Sequence, residues 1–384
     1  MLDRIRILLI SGSYPPIRCG VGDYTAQLAT ALGRRGDTVV SVVTDAEARC
    51  AHHLDRDIQL FPVINGWKFA EVSAILPVIT DWRPDVVHMQ FGSSRYHLKI
   101  LPWLMPALLR FRRLTVVQTW HEWPEDPLRI LRNLPNALVP GGLVVVKPEI
   151  KVATLPWYRR RIGHKYFRFI PNASAIPQIC LNSLERAVVH DQFAQGADNL
   201  IVFFGFANPR KGIANLFEII DPRLNSLVLA CELEPSNPYH RMLLDRINSE
   251  PWRGKVVVTG FLPPEEVGRI LAAADAVALP FPDGGGEWST STHAAIAQGT
   301  FVLVTSHDKQ GYDAAENVFY ARPGNYEEMR EAMRLYAGQR VEPRTTLSCQ
   351  WDKIADAHMT LYRDILVPAR SERNSYAKSC TISL

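Results

Sequence analysis

The sequence predicts an α/β protein of two similar domains, each a parallel sheet layered by helices, and three observations carry that prediction. Short apolar runs of strand length alternate with helix-length segments along the chain, the pattern of repeated strand-crossover-strand units. Runs such as Ile5–Ile10 are apolar throughout and do not alternate, as expected of strands buried on both faces. At 384 residues and 47% hydrophobic side chains, the chain can bury two ordinary cores, given about 150 residues per domain.

Ile5–Ile10 leads the first set of strand candidates, followed by Val39–Thr44, Ile58–Val63, Val86–Gln90, Leu114–Trp120, Leu143–Val146 and Tyr166–Ile170. Between the first two lies a loop ending in Gly20-Val21-Gly22, and Tyr24, Leu28, Ala31 and Leu32 then recur at helical spacing up to Gly33. This strand, glycine loop and helix lack the third glycine of a dinucleotide fingerprint. Asp45 after the second run keeps that weaker alternative open. Pro171 to Pro177 interrupts the pattern and sets the predicted boundary between domains 1–175 and 176–350.

The second set is Leu200–Phe204, Ser226–Cys231, Lys255–Thr259, Ala276–Leu279, Phe301–Thr305 and Val318–Ala321. Residues 351–367 read as an amphipathic helix, and 368–384 as a polar, disordered tail. The centre of the second domain is AVALPFPDGGGEWSTSTHAAIAQGTFVLVTS, from Ala276 to Ser306. It reads as strand, triple-glycine loop, helix over Ser289–Gln298, and strand. Such a loop can turn backbone N–H groups toward an anion such as a diphosphate, although three glycines also suit any tight turn.

Net charge is +4, unevenly spread: from Lys99 to Arg168 thirteen Lys and Arg face four Asp and Glu, so the remainder is net negative. Apolar and aromatic residues precede Arg110–Arg113 and Arg159–Arg161, which suits a membrane surface. Solvated helix ends over a buried face explain the same pattern. No nucleic-acid module accompanies the charge. The six cysteines show no CxxC pair and no His spacing for zinc. HHLDRD, with His52, His53, Asp55 and Asp57, reads as solvated surface and not as a metal site. No apolar run nears the roughly 18 residues of a membrane helix, and the charged N-terminus is too short for a signal peptide. The expectation is a cytoplasmic protein that needs no metal.

Side chains just past strand ends are the candidates for chemistry in parallel sheets. His121 and Glu122 directly follow Leu114–Trp120 and suit acid/base or hydrogen-bonding work on a sugar. Arg210 and Lys211 lie in the loop after Leu200–Phe204, where a lysine is a mobile charge for a phosphate. An isolated Arg-Lys pair is otherwise ordinary solvated charge.

Four stretches in this order resemble the family 4 glycosyltransferases: PPIRCGVGDYTAQLATALGRRGDTV, VVHMQF with VVQTWHE, FFGFANPRKG, and GFLPPEEVGRILAAADAVALPFPDG with HAAIAQGTFVLVTS. The resemblance spans Ile5 to Leu366. It implies the GT-B fold, two Rossmann-like domains facing a central cleft, with the last helix crossing back to the first domain. It implies transfer of a sugar with retention from a nucleotide-sugar donor, held mainly by the second domain, to an acceptor hydroxyl in glycan, polysaccharide or glycoconjugate synthesis. The acceptor would be a glycan, a lipid-linked glycan or a small molecule. A binder without turnover, or a sugar-nucleotide epimerase or phosphorylase of the same fold, are the alternatives.

By that resemblance His121 and Lys211 are the catalytic pair, His121 near the donor sugar and Lys211 at the diphosphate. Gly20, Gly22, Arg210, Gly285, Gly286, Glu287, Trp288, Ser289, Thr290 and Ser291 fall to the donor, and Tyr24 and Glu122 to the acceptor. Gly299 and Asn317 also match family positions. The family arginine falls on Phe206, and the two family glutamates fall on Gly286 and Ala294. Glu287 adjoins the first, while only the hydroxyls of Ser289, Thr290, Ser291 and Thr292 stand near the second.

Overall fold

In the computed structural model the described residues are 4–50, 58–92, 94–96, 99–122, 136, 139–147, 166–342 and 347–380. The chain divides into two compact units: Met1–Asn172 with Trp351–Leu384, and Ala173–Gln350.

Unit 1 holds β1 (Ile5–Ser11), β2 (Thr38–Asp45), β3 (Gln59–Ile64), β4 (Val86–Phe91), β5 (Thr115–Trp120), β6 (Gly142–Val145) and β7 (Tyr166–Phe169), in the order β3-β2-β1-β4-β5-β6-β7. All neighbours are parallel. Among the described residues before Asn172 its helices are α1 (Gly20–Gly33), α2 (Val72–Trp82) and α3 (Leu101–Phe111). β1, β2, β4 and β5 are almost wholly buried, which explains their continuous apolar runs.

Unit 2 repeats the plan with β8 (Asn199–Phe204), β9 (Asn225–Ala230), β10 (Val256–Val258), β11 (Ala276–Leu279), β12 (Phe301–Thr305), β13 (Gly311–Asp313) and β14 (Val318–Ala321). The order is β10-β9-β8-β11-β12-β14-β13. Its helices are α4 (Ser183–Ala194), α5 (Ile213–Ile219), α6 (Pro238–Ile247), α7 (Pro264–Ala273), α8 (Thr290–Ile296) and α9 (Tyr326–Tyr336), followed by α10 (Leu347–Cys380). α4 opens with a reciprocal capping box between Asn182 and Glu185, which satisfies two otherwise orphaned amides.

Three features differ from the sequence expectation. β13, only Gly-Tyr-Asp and antiparallel to β14, has no apolar run to announce it. The division between units falls at Asn172/Ala173, ahead of the predicted boundary at 175/176. The last helix starts at Leu347 and its backbone continues to Cys380, where a disordered tail is expected from 368. Ala, Arg, Glu and Lys in 369–380 are good helix formers, so polarity alone misreads the segment. The HHLDRD cluster, Trp157, Tyr158 and the cations Arg129, Arg132, Lys151, Arg159–Arg161 and Lys165 lie outside the described residues.

From Trp351 onward α10 belongs to unit 1 and buries Trp351, Ile354, Ala355, His358, Met359, Leu361, Tyr362, Ile365 and Leu366. Ile365 Cδ1 lies 2.7 Å from where a Cβ on Gly142 would stand, so it packs on β6. Arg168 donates to Asp364 at 3.0 Å, and Arg35 and Arg363 pair with Asp356 and Asp37 respectively. No described helix is long and apolar enough to cross a membrane.

Candidate functional site

In both sheets the order reverses beside the first strand of the unit: β1 lies between β2 and β4, and β8 between β9 and β11. Connections leaving the two strands at such a reversal diverge, which opens a crevice at their carboxyl ends where α/β proteins bind ligands. In unit 2 the two loops at that point are Gly205–Gly212 and Pro280–Ser289.

The structure brings these loops together. Gly212 has φ +69°, and a Cβ there would stand 2.0 Å from the Pro280 carbonyl oxygen; only glycine fits this approach. Asn215 Nδ2 donates to the same carbonyl at 3.1 Å. Lys211 Nζ lies 4.7 Å from the Phe281 ring centroid, a cation over an aromatic face. A Cβ on Gly205 would come 3.0 Å from Ser291 Oγ. Gly212→Ala is expected to destabilise unit 2 by roughly 3 kcal/mol, combining left-handed strain of about 1–2 kcal/mol with overpacking. Urea unfolding measures it.

Hydroxyls hold the glycine loop in place. Thr292 Oγ1 donates to Gly286 O at 2.6 Å and Thr305 Oγ1 to Phe281 O at 2.7 Å. Gly286 is wedged against Val304 and Phe281, leaving no room for a side chain, which explains why the acidic residue stands one place on. Glu287 is 7% exposed. Its Oε1 accepts from Ser306 Oγ at 3.0 Å, while Oε2 is buried with no hydrogen-bond partner among the described residues. A buried carboxylate oxygen without a donor is costly, and a ligand hydroxyl would satisfy it. Trp288 and Ser289 are half-buried, Thr290 exposed and Ser291 buried. Ser289 caps α8, accepting from Ser291 N at 3.3 Å. Arg210 is exposed, and Phe206, at the family arginine's position, is 47% exposed.

Asn317 has a structural task. Its Nδ2 donates to Gly299 O and Gln339 O at 3.3 and 2.8 Å, and Oδ1 accepts from Tyr312 at 2.8 Å.

In unit 1 the loops after β1, β4 and β5 also converge. A Cβ on Gly22 would lie 3.1 Å from the Ser13 carbonyl carbon. One on Gly92 would lie 3.2 Å from His121 Cβ and 3.7 Å from Val21. Gly20, by contrast, faces open space, so packing does not require it. His121 is 9% exposed, and its Nε2 lies 2.9 Å from Gln90 Oε1. Burial, reinforced by His358, pushes its pKa down to about 3, so it is a neutral hydrogen-bonding group at ordinary pH. Glu122 is exposed beside it. Tyr24 is 4% exposed and packs edge-on against His121 and Trp351, with ring centroids 4.6 and 5.2 Å apart. Its hydroxyl is buried without a partner among the described residues, so Tyr24 stands as the wall behind His121.

Sequence reasoning missed the polar cluster behind that wall. His88, Gln90 and Thr119 are wholly buried on β4 and β5, and His358 and Tyr362 on α10. The signal was present: His88 and Gln90 are two apart in an apolar strand, so they share one face. Among the described residues no group of three or more His, Cys, Asp or Glu could hold a metal ion.

Comparison with known proteins gives the following. Residues 19–176 match the family described as "Glycosyl transferase 4-like domain". No curated protein matches the chain. Among solved structures, sucrose-phosphate synthase from Thermosynechococcus elongatus is similar at 15% identity and TM-score 0.65, covering 99% of this chain and 100% of that one. Anabaena HepE in complex with UDP and glucose is similar at 14% and 0.62, covering 98% and 100%. The catalytic domain of Arabidopsis thaliana starch synthase IV, bound to ADP and acarbose, is similar at 12% and 0.67, covering 95% and 100%. At these identities the likeness shows the fold: two parallel-sheet α/β units of the GT-B type.

Proposed function

We propose that this protein is a retaining glycosyltransferase that moves a sugar from a nucleotide-sugar donor to an acceptor hydroxyl. One observation carries the reading: at the strand reversal of unit 2, Lys211 rests on Phe281 while the loop leading from Phe281 supplies Glu287, whose Oε2 is buried and unsatisfied. That is a cation and an acceptor in one pair of adjoining loops, the needs of a diphosphate and a sugar or ribose hydroxyl. The family match over residues 19–176 and the nucleotides named with two of the similar structures support it.

The chemical demand is to stabilise a departing nucleoside diphosphate. Lys211 supplies charge at its oxygens, assisted by Arg210 and by amides of Gly285–Ser291. The acceptor hydroxyl attacks the anomeric carbon on the face that the diphosphate leaves, and its proton passes to the leaving oxygen. The configuration is then retained without a covalent intermediate on the protein. In unit 1 His121, neutral, bonds a sugar hydroxyl, and Gly22 lets the backbone approach a ligand. Glu122, exposed beside His121, serves the acceptor.

Binding is tested by thermal shift against UDP, ADP and GDP sugars. A donor at 100 times its Kd is expected to stabilise the fold by about 2.7 kcal/mol. Retention is tested by NMR of the product's anomeric centre. Absence of transfer and of any shift across the panel overturns the reading.

The exposed face of α3 supports a lipid-linked acceptor. Ile100, Leu104 and Phe111 are 65%, 36% and 87% exposed along one stripe of that helix, opposite Leu101, Met105 and Leu109 in the core. Arg110, Arg112 and Arg113 beside them are exposed. An apolar stripe edged by arginines complements an anionic lipid surface, which favours a lipid-linked acceptor. Phe111→Asp with Arg112→Glu is expected to lower co-sedimentation with phosphatidylglycerol vesicles at least tenfold while soluble-acceptor transfer persists. Equal binding by both proteins removes the membrane contact.

A further inference from the structure

We infer that Gln90 sets the tautomer of His121 and is itself set from α10, so that Tyr362 decides which ring nitrogen His121 offers to a ligand. The inference rests on the proposed role of His121 for its consequence in catalysis, not for the wiring itself.

The wiring is a chain of buried side chains. Gln90 bridges two imidazoles: Oε1 is 2.9 Å from His121 Nε2, and Nε2 is 3.3 Å from His88 Nε2. His88 is held at both nitrogens, with Nδ1 2.6 Å from the Tyr362 hydroxyl and Nε2 2.7 Å from Thr119 Oγ1. Burial lowers the pKa of both histidines, so each is neutral and carries one ring proton.

That constraint makes the chain directional. A carboxamide donates only from nitrogen and accepts only at oxygen. With Gln90 Oε1 toward His121, the His121 proton sits on Nε2, and Nδ1 is left bare as an acceptor. Gln90 Nε2–H and Thr119 Oγ1–H then donate to His88 Nε2, which places the His88 proton on Nδ1, donated to the Tyr362 oxygen. The opposite wiring needs Tyr362 to donate to His88 Nδ1, moves the His88 proton to Nε2, turns the carboxamide over and leaves His121 protonated on Nδ1. The two states differ at every link, so a change at one end must appear at the other. In the state inferred here, Nδ1 of His121 accepts a hydrogen bond from a sugar hydroxyl; in the other it donates one.

The test is the ring-nitrogen spectrum of full-length protein labelled with 15N-histidine, His121 being assigned by its loss in His121→Asn. Wild type is expected to show His121 bare at Nδ1 and protonated at Nε2. Tyr362→Phe removes the acceptor of the His88 proton and is expected to convert His121 to the Nδ1–H form. Gln90→Met, of similar size, is expected to mix the two forms. In transfer assays both are expected to raise donor KM about fivefold to tenfold with a smaller change in kcat, the scale of one hydrogen bond. His121 protonated on Nδ1 in wild type, or unmoved in either folded variant, overturns the relay. A correct spectrum in a protein that transfers no sugar upholds the relay and instead overturns the functional reading.

Discussion

Replacing Lys211 with alanine is expected to lower sugar transfer by 10² to 10³ while leaving the unfolding midpoint nearly unchanged. Removing one group that stabilises charge developing in a transition state typically costs that much. Lys211 is half-buried at the end of a short 3₁₀ turn, Pro209–Lys211, outside the sheet of unit 2. Its stacking on Phe281 is worth about 0.5–1 kcal/mol at a partly exposed site, and Phe281 retains its own place in the core of unit 2. Lys211→Arg is expected to recover part of the rate, since charge returns on a longer, planar head. Steady-state rates with saturating donor, set beside urea unfolding, separate the two effects. Equal rates in wild type and Lys211→Ala would take Lys211 out of the mechanism.

The second large effect is acid lability of unit 1. Burial holds His121 at about 3 and His358 at about 4, and pushes His88 well below its ordinary 6.5. All three charge readily once unfolded, so below about pH 6.5 the unfolded chain binds more protons than the native one. Stability therefore falls as pH is lowered toward 4. Each such histidine contributes about 1.4 kcal/mol per pH unit within that window. Asp23 acts with opposite sign: burial raises it to about 6, so the native state binds its proton first, offsetting about one histidine between pH 4 and 6. The net is two protons, or about 3 kcal/mol per pH unit. Urea unfolding from pH 6.5 to 4.5 measures the slope. His358→Leu is expected to reduce it by one proton, because His358 Nδ1 already bonds Ile354 O at 2.8 Å and its Nε2 has no partner among the described residues. Stability that stays flat or rises as pH falls would mean that at least two of the three histidines are charged in the native protein.

What could be read from the sequence follows from how each feature is encoded. Strands buried on both faces are continuous apolar runs, so β1, β2, β4, β5, β8 and β12 were plain, and their alternation with helices carried the two-unit architecture. β13 has no such run, and residues 369–380 are polar while favouring helix. The candidate site was readable in outline, because Lys211 and the triple-glycine loop both follow strands. Their adjacency depends on β11 pairing with β8, a fact of strand order that no local pattern states. The histidine cluster was hidden because half of it arrives on α10: His88 and Tyr362 meet across 274 positions. Tyr24 has the helical spacing of a core residue, and burial behind His121 is what that spacing implies.

The closing of unit 1 by α10 has a consequence for synthesis. Translation runs from the N-terminus, so β1 to β7 emerge early, yet the surface covered by Trp351, Leu361, Tyr362 and Ile365 stays bare until α10 is made. At 5–20 residues per second, the wait from Asn172 to Ile365 is on the order of 10 to 40 s. Unit 2, contiguous from Ala173 to Gln350, can complete itself first. The nascent protein thus matures back to front, and the emergence of α10 is the event that seals its beginning.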